Sequence, residues 1–334
     1  MPPAPDPARA VLHRRGLILK LFRYILGRIG RSLIALFLIC LLVFLMMRAL
    51  PTDRYFGTRA DHLTPEEKES ILKSYGLTDP IPVQFAKYIN GVLHGDLGTS
   101  ITYYRGKSVT EIIAPKIGYS IRFGLASLAL SLVLGISLGL VMVRNQGKWR
   151  DHAGNGFILF INAVPSAVYY LFIQFIGTKL LNIGMLYKEG NIATCILPTI
   201  SMSLGSIASY AMWTRRYMLD QVNQDYVALA RAKGMTSRQI MSKHVLRNAF
   251  APLAQNLPTS IIFTISGSLY IESLYSIPGM GGLLVNAIEA QDNPLVQAIV
   301  MFYAILGITG MLLGDLAMMA CDPRITFTKE GGGR

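Results

Sequence analysis

Charge is what this 334-residue chain has least of. Asp, Glu, Lys and Arg together make up 15% of it, against about 25% in a typical soluble domain. A soluble fold of this length would need a far more polar surface. Cysteine is almost absent too. Cys40, Cys195 and Cys321 stand far apart in apolar surroundings, with no disulfide or metal spacing, and are expected as small buried side chains. The five histidines, His13, His62, His94, His152 and His244, form no ligand pattern, so no metal site is expected. A phosphate-binding loop is missing as well. Gly106-Lys107-Ser108 looks like the end of one, but the glycine required five positions earlier is Ile101. The chain is therefore not expected to hydrolyse ATP by itself. Finally, no nucleophile is paired with a base at membrane depth, which argues against a membrane-embedded hydrolase.

Apolar residues are abundant. They make up 52% of the chain, with a mean hydropathy of +0.41. They fall in six blocks free of Asp, Glu, Lys and Arg: 32–47, 123–143, 153–178, 192–214, 248–271 and 295–314. A membrane-spanning helix needs about 20 such residues. The first block is short, but Arg31 and Arg48 can snorkel at its ends. No alternating pattern suggests a barrel. The fold class expected is all-α: a polytopic membrane protein with six transmembrane helices. The first block is long for a signal core and no small-x-small cleavage site follows it, so it is expected to remain as helix one.

The formal net charge of +13 raises the question of nucleic acid, but its distribution answers it. The short loops at 144–150 and 215–247 are basic, while those at 179–194 and 272–294 carry few or no Lys and Arg. Positive residues stay in the cytoplasm. Both basic loops and both termini are therefore expected inside, with 50–118 outside. The domain reading follows: a Pro-rich basic tail (1–22), disordered over its first three-fifths, helix one (23–49), an external region (50–118), a core of five helices (119–322) and a tail (323–334). In the external region, Thr64-Pro65-Glu66-Glu67 reads as a capped helix start. A second helix is expected over Ile81–Leu93.

The 215–247 loop is unlike the rest. It holds Arg215, Arg216, Arg231, Lys233, Arg238, Lys243 and Arg247 against only Asp220 and Asp225. Ala228, Leu229, Ala230 and Ala232 favour helix. Gly234 suits a helix C-terminus, with Arg231 and Lys233 in the last turn. Thr236-Ser-Arg-Gln239 matches a capping box that opens a second helix. Helix, glycine, helix makes a knob, and the small Ala228, Ala230 and Ala232 would let another protein approach closely.

These residues carry a resemblance. Tyr226-Val-Ala228-Leu229-Ala230-Arg231-Ala232-Lys233-Gly234, then His244-Val-Leu-Arg247-Asn248-Ala249 and Pro252, resembles the cytoplasmic coupling loop of ABC-importer permeases of the dipeptide/oligopeptide/nickel branch. Tyr75-Gly-Leu-Thr-Asp-Pro80, Gly95-Asp-Leu-Gly-Thr-Ser100, Glu272 with Pro278-Gly279-Met-Gly281, and Asp322-Pro-Arg324 extend the likeness over nearly the whole chain. The wider importer motif opens Glu-Ala-Ala where this chain has Ala228, Leu229 and Ala230, and Pro51-Thr-Asp53-Arg54 keeps only part of a family Pro-Gly-Asp-Pro. The resemblance implies a type I importer fold and a B-type, non-catalytic subunit with a long external loop. It implies that the loop docks on one of two cytoplasmic ABC ATPase subunits, which bind the ATP and Mg. It also implies a second, homologous C-type permease and an extracytoplasmic peptide-binding protein. The setting is a bacterial cell membrane, with lipid as the surroundings.

Among the remaining residues, Glu272 is an acid at or near membrane depth. It reads as a helix-terminus group at the outer water interface, or with Pro278 and Gly279 as a gate. Asp315 reads as a structural partner of a neighbouring helix. Gly135 and Gly139 permit close helix packing. Pro165 and Pro258 should kink or break their helices. Two alternatives stay open: the same fold carrying nickel or a metal chelate, and a stand-alone carrier. The second would need intramembrane charge pairs or inverted repeats that are not evident.

Overall fold

The computed structural model describes residues 7–266 and 268–321. Helix dominates them, and β pairing among the described residues is limited to an isolated bridge between Thr99 and Ser108. The external region follows the sequence closely. Helix α2 (Pro65–Ser74) starts with a complete capping box, Thr64 and Glu67 each accepting from the other's backbone N–H. Helix α3 (Ile81–Leu93) has the expected bounds.

Among the described residues, four segments are long and apolar enough to cross a membrane: Leu26–Arg48, Val109–Arg144, Ile192–Val222 and Asn293–Leu316. They lie on α1 (Pro7–Arg48), α4 (Val109–Arg144), α7 (Ile196–Val222, preceded by a 3-10 turn) and α13 (Asn293–Cys321). The expected span at 153–178 is instead two helices, α5 (Trp149–Ala163) and α6 (Ser166–Leu181), bent by 105°. Pro165 breaks rather than kinks the span. It forces the preceding Val164 into extended backbone (φ −86°, ψ 129°). The expected block 248–271 is also divided, between α10 (Leu246–Ser266) and α11 (Leu269–Leu274). With Arg247, Asn248, Gln255 and Asn256 in its sequence, α10 is less apolar than the four. Pro258 does not break its helix, and α10 runs through it. Packing holds it on both sides: Tyr210 and Ser260 share a hydrogen bond (3.0 Å), and Thr259 donates to the Gly310 carbonyl (2.9 Å).

Two expected boundaries move. Helix α1 starts at Pro7, inside the 1–22 tail, and runs on without a break into helix one. After Pro7 no proline occurs until Pro51, so nothing interrupts the helix. Residues 1–6 and 322–334 lie outside the described residues, the Asp322-Pro-Arg324 motif and the 323–334 tail among them. Helix α4 starts ten residues before the expected edge of the core at 119, with Pro115 inside its first turns.

The centre of the fold is α4 against α7. A Cβ on Gly135 would stand 2.7 Å from Tyr210 Cβ, and one on Gly139 would stand 2.7 Å from Thr214 Cβ. Both contacts advance by four residues, so the helices run parallel with backbones touching, as the glycine spacing predicts. Helix α5 is tied to α7 by a two-pronged ion pair, Arg215 to Asp151 (2.7 and 2.9 Å). Helices α1 and α13 are joined by the Arg28–Asp315 ion pair, which gives Asp315 the helix-to-helix role expected of it.

Candidate coupling loop and outer turn

The loop after α7 forms helix α8 (Asp225–Ala232), a turn, and helix α9 (Ser237–Ile240). Lys233, Gly234 and Met235 close the end of α8 by donating to the carbonyls of Leu229, Arg231 and Ala230 (3.1, 2.9 and 3.2 Å). That closure needs a left-handed residue after the last turn, and Gly234 supplies it at φ 76°. Open space surrounds its missing Cβ, so the requirement is backbone conformation, not room. Thr236 and Gln239 form the expected capping box. The second half is not a separate knob helix. After a π-helical turn (Met241–Val245) it runs straight into α10.

Val227, Ala230, Ile240, Val245 and Ala249 are buried together with Val143 and Met218, at the C-terminal ends of α4 and α7. Ala230 is only 6% exposed, which corrects the expectation that it faces a partner. It lies three residues from Val227 on the inner face, while Ala228, Leu229 and Ala232 lie outward, with Leu229 57% exposed. Arg231, Lys233, Arg247 and Asn248 are exposed too. Tyr226 and His244, eighteen positions apart in sequence, meet across the loop with ring centroids 6.5 Å apart. The Tyr226 hydroxyl also donates to Gln221 (2.9 Å). The structure thus gathers all the residues the sequence singled out here. It sorts them into a buried apolar face and an outward face that is small, apolar and basic.

The outer turn is built the opposite way. Glu272, on α11, is 1% exposed, so it is not a group at the water interface. Its carboxylate accepts from the Ser120 hydroxyl (2.8 Å) and from the backbone N–H of Gly281 (2.7 Å) and Gly282 (3.2 Å). Ser120 Oγ in turn accepts from Met280 N–H (2.9 Å). One carboxylate therefore joins α4, α11 and the start of α12 (Met280–Glu289), where free N–H groups favour negative charge. The glycines follow from this. A Cβ on Gly279 would run into the carboxylate, and one on Gly281 would stand 2.5 Å from Leu269 Cα. Pro278 is half-buried beside them.

One residue escaped the sequence reading. Asp292, in the turn between α12 and α13, is fully buried. It accepts from the Ser100 hydroxyl and from the N–H groups of Thr102 (3.0 Å) and Tyr103 (2.9 Å). It fastens the external region to the core. The only sequence signal is an acid in a loop otherwise free of basic residues, and that alone identifies no partner 190 positions away.

Long, mainly apolar spans, a basic loop at one end and a buried carboxylate clamp at the other describe a multi-pass membrane subunit. The comparisons agree. Residues 131–327 match the family model "Binding-protein-dependent transport system inner membrane component", and residues 21–124 match its N-terminal companion. The chain belongs to this family of binding-protein-dependent inner membrane components. It is 32% identical to the dipeptide transport system permease protein DppB of Lactococcus lactis subsp. cremoris over 305 residues, 91% of this chain and 99% of that one. It is 31% identical to the oligopeptide transport system permease protein OppB of Salmonella typhimurium over 309 residues, 92% of this chain and all of that one. A solved structure of the MetNI methionine ABC transporter in inward-facing conformations shares the fold (TM-score 0.50, 15% identity, 64% of this chain and 97% of that chain).

Proposed function

We propose that this chain is the B-type permease of an ATP-driven importer of dipeptides or oligopeptides and forms half of the translocation pathway. The observation that carries it is the sorted loop: an outward face of Ala228, Leu229, Ala232, Arg231 and Lys233 on a rigid support. The support is packed on the inner ends of α4 and α7, so a push on the loop moves two spans. The relatives named as dipeptide and oligopeptide permeases favour peptide cargo over nickel. In this reading two cytoplasmic ATPase subunits, or two ATPase domains, bind ATP and Mg, and one of them receives the loop. A second, C-type permease completes the pathway, and an extracytoplasmic binding protein delivers the peptide. The chain itself catalyses nothing. Both termini and the 225–247 loop lie in the cytoplasm, with 50–118 and the Glu272–Gly282 turn at the outer mouth.

Isolation of the intact complex tests this. We expect two unlike permeases and two ATPase subunits or domains, with ATP hydrolysis stimulated by peptide-loaded binding protein. Robust peptide accumulation by this chain alone in liposomes under a proton or sodium gradient would overturn the reading. For orientation, a single cysteine at Thr102 should react with a membrane-impermeant thiol reagent in intact cells, and one at Gln239 should not. Both positions are exposed, so the reverse pattern would invert the topology.

A further inference from the structure

Helix α3 belongs, by sequence, to the external region, but its aromatic residues do not stay at the outer mouth. Phe85 meets Phe44 and Phe37 of α1 edge-on, with ring centroids 5.2 and 5.7 Å apart. Tyr88 stacks on Phe44 at 5.8 Å and donates its hydroxyl to Met301 of α13 (3.2 Å). The outer ends of these two spans are level, because Asn293 at the start of α13 donates to the Met47 carbonyl (3.4 Å). At 1.5 Å per residue, Phe37 lies about 15 Å and Met301 about 12 Å below that level. The hydrocarbon core is about 30 Å thick with only a few ångströms of headgroup beyond it. The middle of α3 therefore lies at hydrocarbon depth on both counts.

Both ends of α3 return to the mouth. The chain enters from Tyr75, whose ring contacts Tyr55 beside Arg48 at the end of α1. It leaves toward Ser100 and the Asp292 clasp. The helix thus lies across α1 and α13 as a dip in the membrane plane. Its composition suits that place. Lys87 is the only charged residue in Ile81–Leu93, and it is paired with Asp79 (2.7 Å). The Gln84 amide donates to the carbonyls of Leu77 and Asp79 (3.0 and 2.7 Å), so the turn into the helix carries its own hydrogen bonds where water is scarce. The face turned away from α1 carries Val83 (43% exposed), Ala86, Asn90 and the exposed stem of Lys87, whose ammonium reaches back to Asp79 at the entry of the helix. The same stretch of α1 carries exposed apolar residues of its own, Leu38, Leu42 and Leu45.

We infer that α3 is an in-plane membrane helix whose outer face is covered by lipid acyl chains in the leaflet on the side of the 50–118 region. It is not a water-exposed part of the external loop. The inference rests only on α1 and α13 crossing the membrane and is independent of the cargo.

The test uses the complete transporter in lipid vesicles, with the native cysteines replaced and a single nitroxide-labelled cysteine at Val83 or Ala86. Leu42 on α1 and Glu66 on α2 serve as references. Collision with oxygen reports lipid, and collision with a neutral nickel chelate reports water. At Val83 and Ala86 we expect an oxygen-to-nickel accessibility ratio several-fold above that at Glu66. A ratio equal to that at Glu66 would place α3 in water, and low collision with both reagents would place a protein partner on it. Either result overturns the inference. Ala86 repeats the measurement with a smaller change of side chain should a label at Val83 disturb the helix.

Discussion

The loop around Gly234 and the turn around Glu272 lie at opposite ends of α4 and solve opposite problems. In the loop, apolar side chains of α8 and α9 point inward and the charged ones point out, with no ion pair to them among the described residues. In the turn, a carboxylate is drawn inside and surrounded by donors from two other helices, α4 and α12. The first arrangement leaves a surface whose recognition groups are uncommitted, which suits a docking face. The second spends every polar group internally, which suits a stiff block that moves as one. A buried carboxylate is tolerated only when its hydrogen bonds are complete. That is why the turn requires glycines at 279 and 281 and the loop does not require small residues on its outer face.

The comparison can be broken first at Ala230. Ala230→Glu would place a charge in the loop's apolar cluster, at a cost of roughly 3–5 kcal/mol. We expect loss of uptake together with protease sensitivity in the loop. An intact, protease-resistant loop would mean that Ala230 is not a core residue. Next is Glu272→Ala, which strands Ser120 and two N–H groups and should cost about 3 kcal/mol. We expect a lower melting temperature for the purified complex. Glu272→Gln, which keeps one acceptor oxygen, should lose less. Equal losses from the two variants would show that the clamp does not work through its acceptors.

Gly234→Val ranks third. It forces a β-branched residue into left-handed backbone, at about 2 kcal/mol. Because space around the site is open, we expect Gly234→Asn to keep most of the uptake that Gly234→Val loses. Equal loss would point to packing instead of conformation. The smallest structural effect and the sharpest functional one should come from Leu229→Asp on the outer face. Its stability should change by no more than about 0.5 kcal/mol. ATPase subunits should nevertheless fail to copurify with it. Normal copurification and uptake would remove α8 from the docking surface.

Local features were open to sequence reasoning because they are set by neighbours in the chain. The capping boxes at Thr64 and Thr236, the bounds of α3, the αL glycine at 234 and the apolar spans are all of this kind. Span continuity was less accessible. Pro165 and Pro258 look alike in sequence, yet one breaks its helix and the other does not. The outcome at 258 depends on bonds from Tyr210 and Gly310, which belong to other helices.

The order of the amino acids alone makes this chain a helical membrane subunit of its transport family and locates its basic loop and its turn motifs. Composition and short-range patterns suffice for that, because the cost of bare backbone in hydrocarbon leaves long apolar blocks few structures to adopt. Packing between distant segments settled which loop residues face outward, that Glu272 and Asp292 are clasps, and that α3 lies against Phe37 and Phe44 of α1. Each of these depends on contacts between residues far apart in the chain. Burial, partners and depth are properties of the packed helices together, and no single segment carries them.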